Sequence, residues 1–306
     1  MLIRCLLLAA GLLTGLPALA QLGGAVRAGL ITQTRGNVAA QTDGKPTFLR
    51  KGQAVKPGMV IESSPDSDTV LAFPDGQIGV LGSKGNVRLN NYVYVLTDPS
   101  QNDINLNLIE GNLRVVMGEI GMTNPTALKL QVGTASVSLR SSSDTSPADA
   151  SLVTIGGAIA VSVQAGQLSV RMPDGSVIQV NAGQTLMLSQ EGKAEVDTTA
   201  AMMQSLGQSA LGQQIRGALA ESQSFNQAIA EAKAQMAAVN AALKNPALAA
   251  SNPAVQEVIA LLILESLPAA AQLATAQQPE NTTFTPATGA AGGGGGGSTP
   301  CPASCN

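Results

Sequence analysis

The residues that could carry chemistry are few, and their kinds exclude most mechanisms. Among 306 residues there is no histidine and no tryptophan. Without histidine, the usual Ser-His-Asp and Cys-His nucleophiles lack their base. His-ligated zinc and most non-haem iron sites lack their ligands. Asp75, Glu110, Glu119 and Asp174 are the obvious carboxylates for a glycoside-cleaving pair. Two of them, Asp75 and Asp174, sit in apparent Pro-Asp-Gly turns. Asp66-Ser67-Asp68 offers oxygen ligands of the kind calcium takes, but the residues after it do not continue a calcium loop, so a polar turn is expected. No G-x-S-x-G elbow, G-x-x-x-x-G-K loop or S-x-x-K pair is present. Cys301 and Cys305 close the chain and could pair with each other or across chains in an oxidising compartment; without histidine they make a poor zinc site. The reading therefore assigns no catalytic residue, no metal ligand and no cofactor.

Composition narrows the partners as well. Charged residues are 12% of the chain, about half the usual share, and the net charge is −3. The basic residues are scattered singly, which argues against a nucleic-acid surface. Aromatics are 2%: Phe48, Phe73, Tyr92, Tyr94, Phe225 and Phe284. A face that stacks sugars or bases would need more of them.

The elements that must position these residues fall into four stretches. Residues 1–20 read as a cleavable secretory signal. Arg4 supplies the charge, Leu6 to Leu16 an apolar run too short to span a bilayer, and Ala18-Leu19-Ala20 the cleavage site. Cys5 precedes the apolar run and leaves with the signal. A periplasmic, secreted or cell-surface address follows.

Residues 21–195 read as β-structure, with short Val, Ile, Leu and Thr runs separated by Gly, Asn, Asp and Pro. Asp75-Gly76 and Asp174-Gly175 suit tight hairpin turns. Gly36-Asn37-Val38, Gly85-Asn86-Val87, Gly111-Asn112-Leu113 and Gly166-Gln167-Leu168 form a loose repeat that hints at stacked β-coils.

Residues 196–276 are Ala- and Gln-rich and helical. A first helix is expected over 198–218, weakened by Gly207 and Gly212. A second follows a capping box at Ser224-Phe225-Asn226-Gln227 and is stopped by Asn245-Pro246. A third is capped by Asn252 with Pro253 in its first turn. The centre of the third, Val258 to Leu264, is apolar all round, so burial against the β-region or a second chain is expected, with membrane-surface contact as the alternative. Residues 277–306, with six consecutive glycines, read as a disordered tail carrying the two cysteines.

Several β-region landmarks come in a fixed order. Gly36-Asn37-Val38 is followed by Leu49-Arg50-Lys51-Gly52, then Pro57-Gly58-Met59-Val60-Ile61. Next come Val70-Leu71-Ala72-Phe73-Pro74-Asp75-Gly76, Val87-Arg88-Leu89 with Tyr92, and Glu110-Gly111-Asn112-Leu113-Arg114. This order resembles the FecR-type domain, a periplasmic module of bacterial envelope proteins. The resemblance covers residues 30–190 or so. Its landmarks are scaffold positions: Gly52, Gly58, Gly76 and Gly111 at backbone turns, Val70, Phe73 and Ile78 facing a core. Two departures stand out. A polar Ser141-Ser142-Ser143-Asp144 follows Arg140 where the family carries Arg-Gly-Thr, and the secretory signal stands where FecR regulators have a cytoplasmic segment and a membrane helix.

The fold expected is mainly β: an antiparallel β-solenoid-like or sandwich domain, with the loose Gly repeat favouring the former, then a C-terminal α-helical segment and the tail. The function expected is a non-enzymatic envelope interaction module that binds another envelope protein, with self-association through the helices. The alternatives are a structural envelope component cross-linked through its tail and, further off, a His-independent hydrolase of an envelope polymer.

Overall fold

The computed structural model describes residues 25–42, 45–143 and 145–267. The stretches read as a secretory signal and as a tail, with both terminal cysteines, lie outside the described residues.

Eighteen strands come first: β1 (Ala25–Val26), β2 (Gly29–Arg35), β3 (Val38–Thr42), β4 (Lys45–Phe48), β5 (Ala54–Val55), β6 (Val60–Ser63), β7 (Asp68–Ala72), β8 (Ile78–Leu81), β9 (Asn86–Val95), β10 (Asp103–Val116), β11 (Leu128–Val132), β12 (Ala135–Arg140), β13 (Asp149–Ile155), β14 (Ala158–Ala165), β15 (Gln167–Arg171), β16 (Val177–Asn181), β17 (Gln184–Leu188) and β18 (Ala194–Thr198). A short helix, α1 (Glu119–Thr123), interrupts them. The described residues end in α2 (Thr199–Ser205), α3 (Ala210–Gln223), α4 (Asn226–Lys244), α5 (Pro246–Ala250) and α6 (Pro253–Ser266).

The pairings trace two sheets that branch from β10. One runs β5-β2-β7-β8-β10-β13-β14-β17-β18. The other runs β4-β3-β6-β9-β10-β11-β12-β15-β16. Although every strand joins one hydrogen-bonded network, no ring of pairings closes in it. Asp103 to Glu110 pair in the second sheet and Gly111 to Val116 in the first. Every pairing is antiparallel except β10–β11, which is parallel. Between the sheets lies the main core, from Ile31, Leu71, Leu113 and Leu152 on one side to Ile61, Leu89, Leu106, Leu130 and Leu168 on the other.

This is the sandwich form rather than the solenoid. The four Gly-Asn/Gln-apolar triplets that suggested stacked coils turn out to be corners. At Gly36, Gly85, Gly111 and Gly166 the chain leaves one sheet and enters the other. Gly111 shows why the residue is small: its φ is +87°, and an added Cβ would lie 2.6 Å from the Cα of Gly85 at the neighbouring corner. The triplets recur because each long strand must cross once, at whatever length its sheet requires.

The helices cover the outer face of the first sheet, hereafter the covered sheet. In α4, Ile229, Ala232, Met236, Val239 and Leu243 recur at alternating spacings of three and four and are buried. They pack with Val255, Ile259 and Leu262 of α6 against Val70, Ala72, Ile78, Val80 and Val116 of the sheet. Met202, Ile215 and Leu219 of α2 and α3 do the same against Val153, Ala158 and Ala160. Each buried Val, Leu, Ile or Met among them contributes roughly 1.5–3 kcal/mol. Of the apolar centre expected to pack on the β-region or a second chain, Ile259 and Leu262 are buried on the protein's own sheet, Val258, Leu261 and Ile263 are half-buried, and Leu264 is exposed. No helix among the described residues is long and apolar enough to cross a membrane.

Helix boundaries follow local chemistry. The helix expected over 198–218 breaks at a short 3-10 turn, Leu206–Gln208, around Gly207. Ser209 then caps α3 by accepting from the Gly212 N–H. The expected capping box is absent: Ser224 closes α3, its hydroxyl donating to the Glu221 carbonyl, and α4 starts from Phe225 without a side-chain cap. Asn252 caps α6 as expected, accepting from Val255 N–H at 3.3 Å.

Candidate functional site

An open cleft lies where the β7–β8 turn, α1 and α4 meet. It encloses about 760 Å³ and is lined by Asp75, Glu119, Met117, Met122, Met236 and Asn240, among others. Two of the four carboxylates singled out from the sequence, Asp75 and Glu119, meet here.

Phe73-Pro74-Asp75-Gly76-Gln77 is a three-residue hairpin loop. Gly76 N–H donates to the Phe73 carbonyl at 2.8 Å, and Phe73 N–H to the Gln77 carbonyl at 2.9 Å. Gly76 takes the positive φ of +85° that ends such a loop. The loop turns the Asp75 side chain inward, where 3% of the residue is exposed. One carboxyl oxygen accepts from Gln77 N–H at 3.3 Å and Tyr92 hydroxyl at 3.2 Å, the other from Ile120 N–H at 3.3 Å. Its carbonyl accepts from Glu119 N–H at 2.8 Å. The Phe73 ring stacks obliquely on Tyr92, centroids 4.7 Å apart. Gly118 is required beside this carboxyl, since an added Cβ would lie 2.4 Å from Asp75 Oδ2.

A second set of bonds ties α4 to the same turn. Tyr94 hydroxyl donates to Glu119 Oε2 at 2.9 Å, and Lys244 Nζ to the same oxygen at 2.6 Å. Asn240 donates to the Pro74 carbonyl at 2.7 Å and to Tyr94 hydroxyl at 3.1 Å.

The electrostatics follow from these contacts. Burial pushes the Asp75 carboxyl up to about 6, against the pull of its hydrogen bonds from Gln77, Ile120 and Tyr92. Burial raises Tyr92 strongly, helped by the Asp75 charge, and raises Tyr94, helped by Glu119. For Glu119, burial pushes upward, but the hydrogen bonds from Lys244 and Tyr94 outweigh it and hold the carboxyl below its usual range. The two hydroxyls therefore stay protonated as donors at ordinary pH. Both oxygens of the buried Asp75 are filled by donors of its own chain, and Glu119 Oε2 is held by Lys244 and Tyr94. The arrangement fastens a helix to a turn.

The other candidates lie elsewhere. Glu110 accepts from Gly156 N–H at 3.2 Å, and Asp174 accepts from Ser176 N–H at 2.9 Å within its own turn. Asp66-Ser67-Asp68 is a corner: Ser67 hydroxyl accepts from Asn37 N–H at 2.9 Å, and Asp68 pairs with Arg35 at 2.6 Å. Among the described residues, no group of three or more acidic, Cys or His side chains is placed to hold a metal ion. Sequence reasoning missed Asn240 and Lys244, which carry no motif. The two tyrosines had a signal: they are the chain's only two, and their spacing of two puts both on one side of β9.

Where α3 crosses the covered sheet a second bracket forms. Arg114, 6% exposed, makes two parallel bonds to Asp149 at 2.9 and 2.8 Å and a third to the Ser222 carbonyl at 3.1 Å. Asn112 donates to the Ala218 carbonyl at 2.9 Å.

Among the described residues, no helix lies on the outer face of the second sheet, hereafter the open sheet. Two of its strands alternate strictly. In β11 and β12, Leu128, Leu130, Val132, Ala135, Val137 and Leu139 are buried, while Lys129, Gln131, Ser136, Ser138 and Arg140 are exposed. Outward side chains bond across strands: Asn90 to Asn105 at 3.1 Å, Gln167 to Asn181 at 2.9 Å and Ser169 to Gln179 at 2.8 Å. The result is a broad, mostly uncharged field of amides and hydroxyls.

No family model matches the chain, and no curated protein does. Among solved structures, it is similar to two crystal structures, at 1.65 and 2.50 Å resolution, of a "putative anti-sigma factor" from Parabacteroides distasonis ATCC 8503. Identity is 16% and 15%, with a TM-score of 0.36 for each. The match covers 48% of this chain and 63% and 62% of those chains, under two thirds of their length. A likeness of that size carries no argument about function.

Proposed function

We propose that the protein is a non-enzymatic interaction module of the FecR type, working in the periplasm or at the cell surface, and that it binds another envelope protein through the outer face of the open sheet. The observation that carries the reading is the contrast between the two sheets. Helices seal one outer face with apolar side chains, while the other presents regular rows of hydrogen-bonding groups. The cleft supports the non-enzymatic part. Asp75 is out of a substrate's reach, and Glu119 is tied to Lys244 and Tyr94. The FecR resemblance is supported by what its landmarks do: Phe73, Asp75, Gly76 and Tyr92 form one buried lock, and Gly111 forms a corner.

A photo-crosslinking residue placed in intact cells at Ser138, on the open face, should give one discrete covalent adduct with an envelope protein. The same residue at Gln214, on the exposed side of α3, should not. Equal labelling from both positions, or none from Ser138, would refute the assigned face.

A further inference from the structure

Five strands pair on one side only, and four of them are guarded. Strand β1 has two residues, and the Arg27 N–H just after it donates to the Ser266 hydroxyl at the end of α6 at 2.8 Å. Strand β4 contains Lys45 and Pro46. Strand β5 has two residues, and the segment is held down by α6 through Lys56 and Glu265, 2.6 Å apart. Strand β18 carries Glu195 and Asp197 and is exposed along its length. Charges, proline, shortness and cover are the devices that stop edge strands from pairing with another chain. Strand β16, Val177-Ile178-Gln179-Val180-Asn181, has none of them. It carries no charge and no proline, its register against β15 is unbroken, and Val177 is 45% exposed.

The hairpin fixes which groups face outward. Met172 N–H donates to the Ser176 carbonyl at 2.9 Å and closes the loop. Antiparallel ladders alternate, so Ile178 and Val180 bond to β15 while the N–H and C=O of Val177, Gln179 and Asn181 turn to the free edge. The Asn181 N–H is taken by Gln184 Oε1 at 2.9 Å. Two donors, Val177 and Gln179, and three acceptors are left for a partner. No other strand among the described residues pairs with this edge.

We infer that β16 pairs with β16 of a second copy, antiparallel about a two-fold axis through Gln179. The edge is complementary to itself. Gln179 exchanges both main-chain bonds with Gln179 of the second copy. Val177 N–H donates to the free Asn181 carbonyl, so the engaged Asn181 N–H need not move. The one charge on the adjoining strand, Arg171, lies beside Val177, and the pairing aligns it with Gln167 of the second copy, not with another cation. The amide and hydroxyl rows running from Ser138 through Ser169 to Gln179 then continue into the second copy, and the two open sheets become one surface.

The test is the solution mass of the purified protein by light scattering across the micromolar range, for wild type and two variants. Gln179→Pro deletes an outward N–H and no main-chain bond to β15, although the side-chain bond from Ser169 goes with it. Val177→Lys puts a like charge on both copies. Wild type should have the mass of a dimer, each variant half that mass, and the amides of Val177 and Gln179 should exchange slowly only in the dimer. Should Gln179→Pro not fold, Val177→Lys and the exchange measurement decide. A monomeric wild type, or a dimer that survives the substitutions with fast exchange at Val177 and Gln179, overturns the inference. Neither result bears on crosslinking from Ser138, which tests the outer face of the sheet and not its edge.

Discussion

The two sheets share a strand, a core and a set of corners, yet their outer surfaces are opposites. Strands β7, β13 and β14 of the covered sheet are buried on both sides through Thr69–Ala72, Ala150–Thr154 and Ala158–Val163. Strands β11 and β12 of the open sheet are buried on every second residue. The same backbone therefore accepts either surface, and helices settle where strands are apolar on both faces. Helix attachment is not left to apolar contact alone: each helical arm has its own polar bracket, Asp75–Glu119 for α4 and Arg114–Asp149 for α3.

The widest gap between the faces should appear when the same carboxylate is placed on each. Val239→Asp puts a charge among the apolar residues under α4, where Val239 is 1% exposed. An unpaired buried charge costs several kcal/mol, comparable to the whole stability of a domain. The variant should be unfolded or insoluble. Ser138→Asp on the open face should shift stability by no more than about 0.5 kcal/mol. Urea denaturation of both variants measures the contrast, and similar midpoints would mean the helices are not part of the folded core.

Removing one partner from the α3 bracket comes next. Arg114→Ala leaves Asp149, whose side chain is 17% exposed, facing the space vacated by its partner, and strips the Ser222 carbonyl of a donor. Breaking such a pair costs roughly 3–5 kcal/mol when fully buried, and about 3 is expected here. Replacing Asp149 by Asn as well should recover part of that loss, because the stranded charge is gone.

Asp75 gives the two-face comparison a pH dependence. Its folded value, about 6, lies above its ordinary 3.8. The folded state thus holds a proton that the unfolded chain has released. The contribution is fully present below about 3.8 and is lost as pH rises to about 6. The shift corresponds to about 3 kcal/mol. Asp75→Asn should flatten this stretch of the stability profile, measured by urea denaturation between pH 4 and 7. An unchanged slope would show that another group titrates there.

Much of this organisation was legible in the residues. The Pro-Asp-Gly hairpins, the Asn252 cap and the switch from strands to helices near Thr198 depend on local chemistry, which a short window contains. The corner triplets were visible too, but as a ragged period. Their cause is the crossing between sheets, and that depends on strand lengths no local pattern states. The bracket was half legible. Phe73, Asp75 and Tyr92 stood among the landmarks, but Asn240 lies 165 residues beyond Asp75, and only the packing of α4 brings it there. The false capping box at Ser224 failed because α3 ends in the same residues and claimed the serine first.

Two lysine–carboxylate pairs, one on each side of the molecule, bring the comparison down to its smallest effects. Lys244 reaches Glu119 at 2.6 Å beside the cleft, with side chains 47% and 41% exposed; Lys129 reaches Asp103 at 2.5 Å on the open face, 57% and 24% exposed. Solvent screens both, so each lysine-to-alanine change should cost under about 1 kcal/mol. They should differ in how that cost varies with pH. Glu119 is held below its usual range with Lys244 as one cause, so the stability it confers is present at neutral pH and fades as the pH falls through its folded value. Lys244→Ala should therefore move the acid limb of unfolding upward in pH. It should also loosen α4, seen as faster amide exchange near Asn240, because Tyr94 and Asn240 bond to the same carboxylate. Lys129→Ala should loosen none of the described helices, since none of them lies on the open sheet. If it disturbed α4 exchange as much as Lys244→Ala, the bracket would not be what holds that helix.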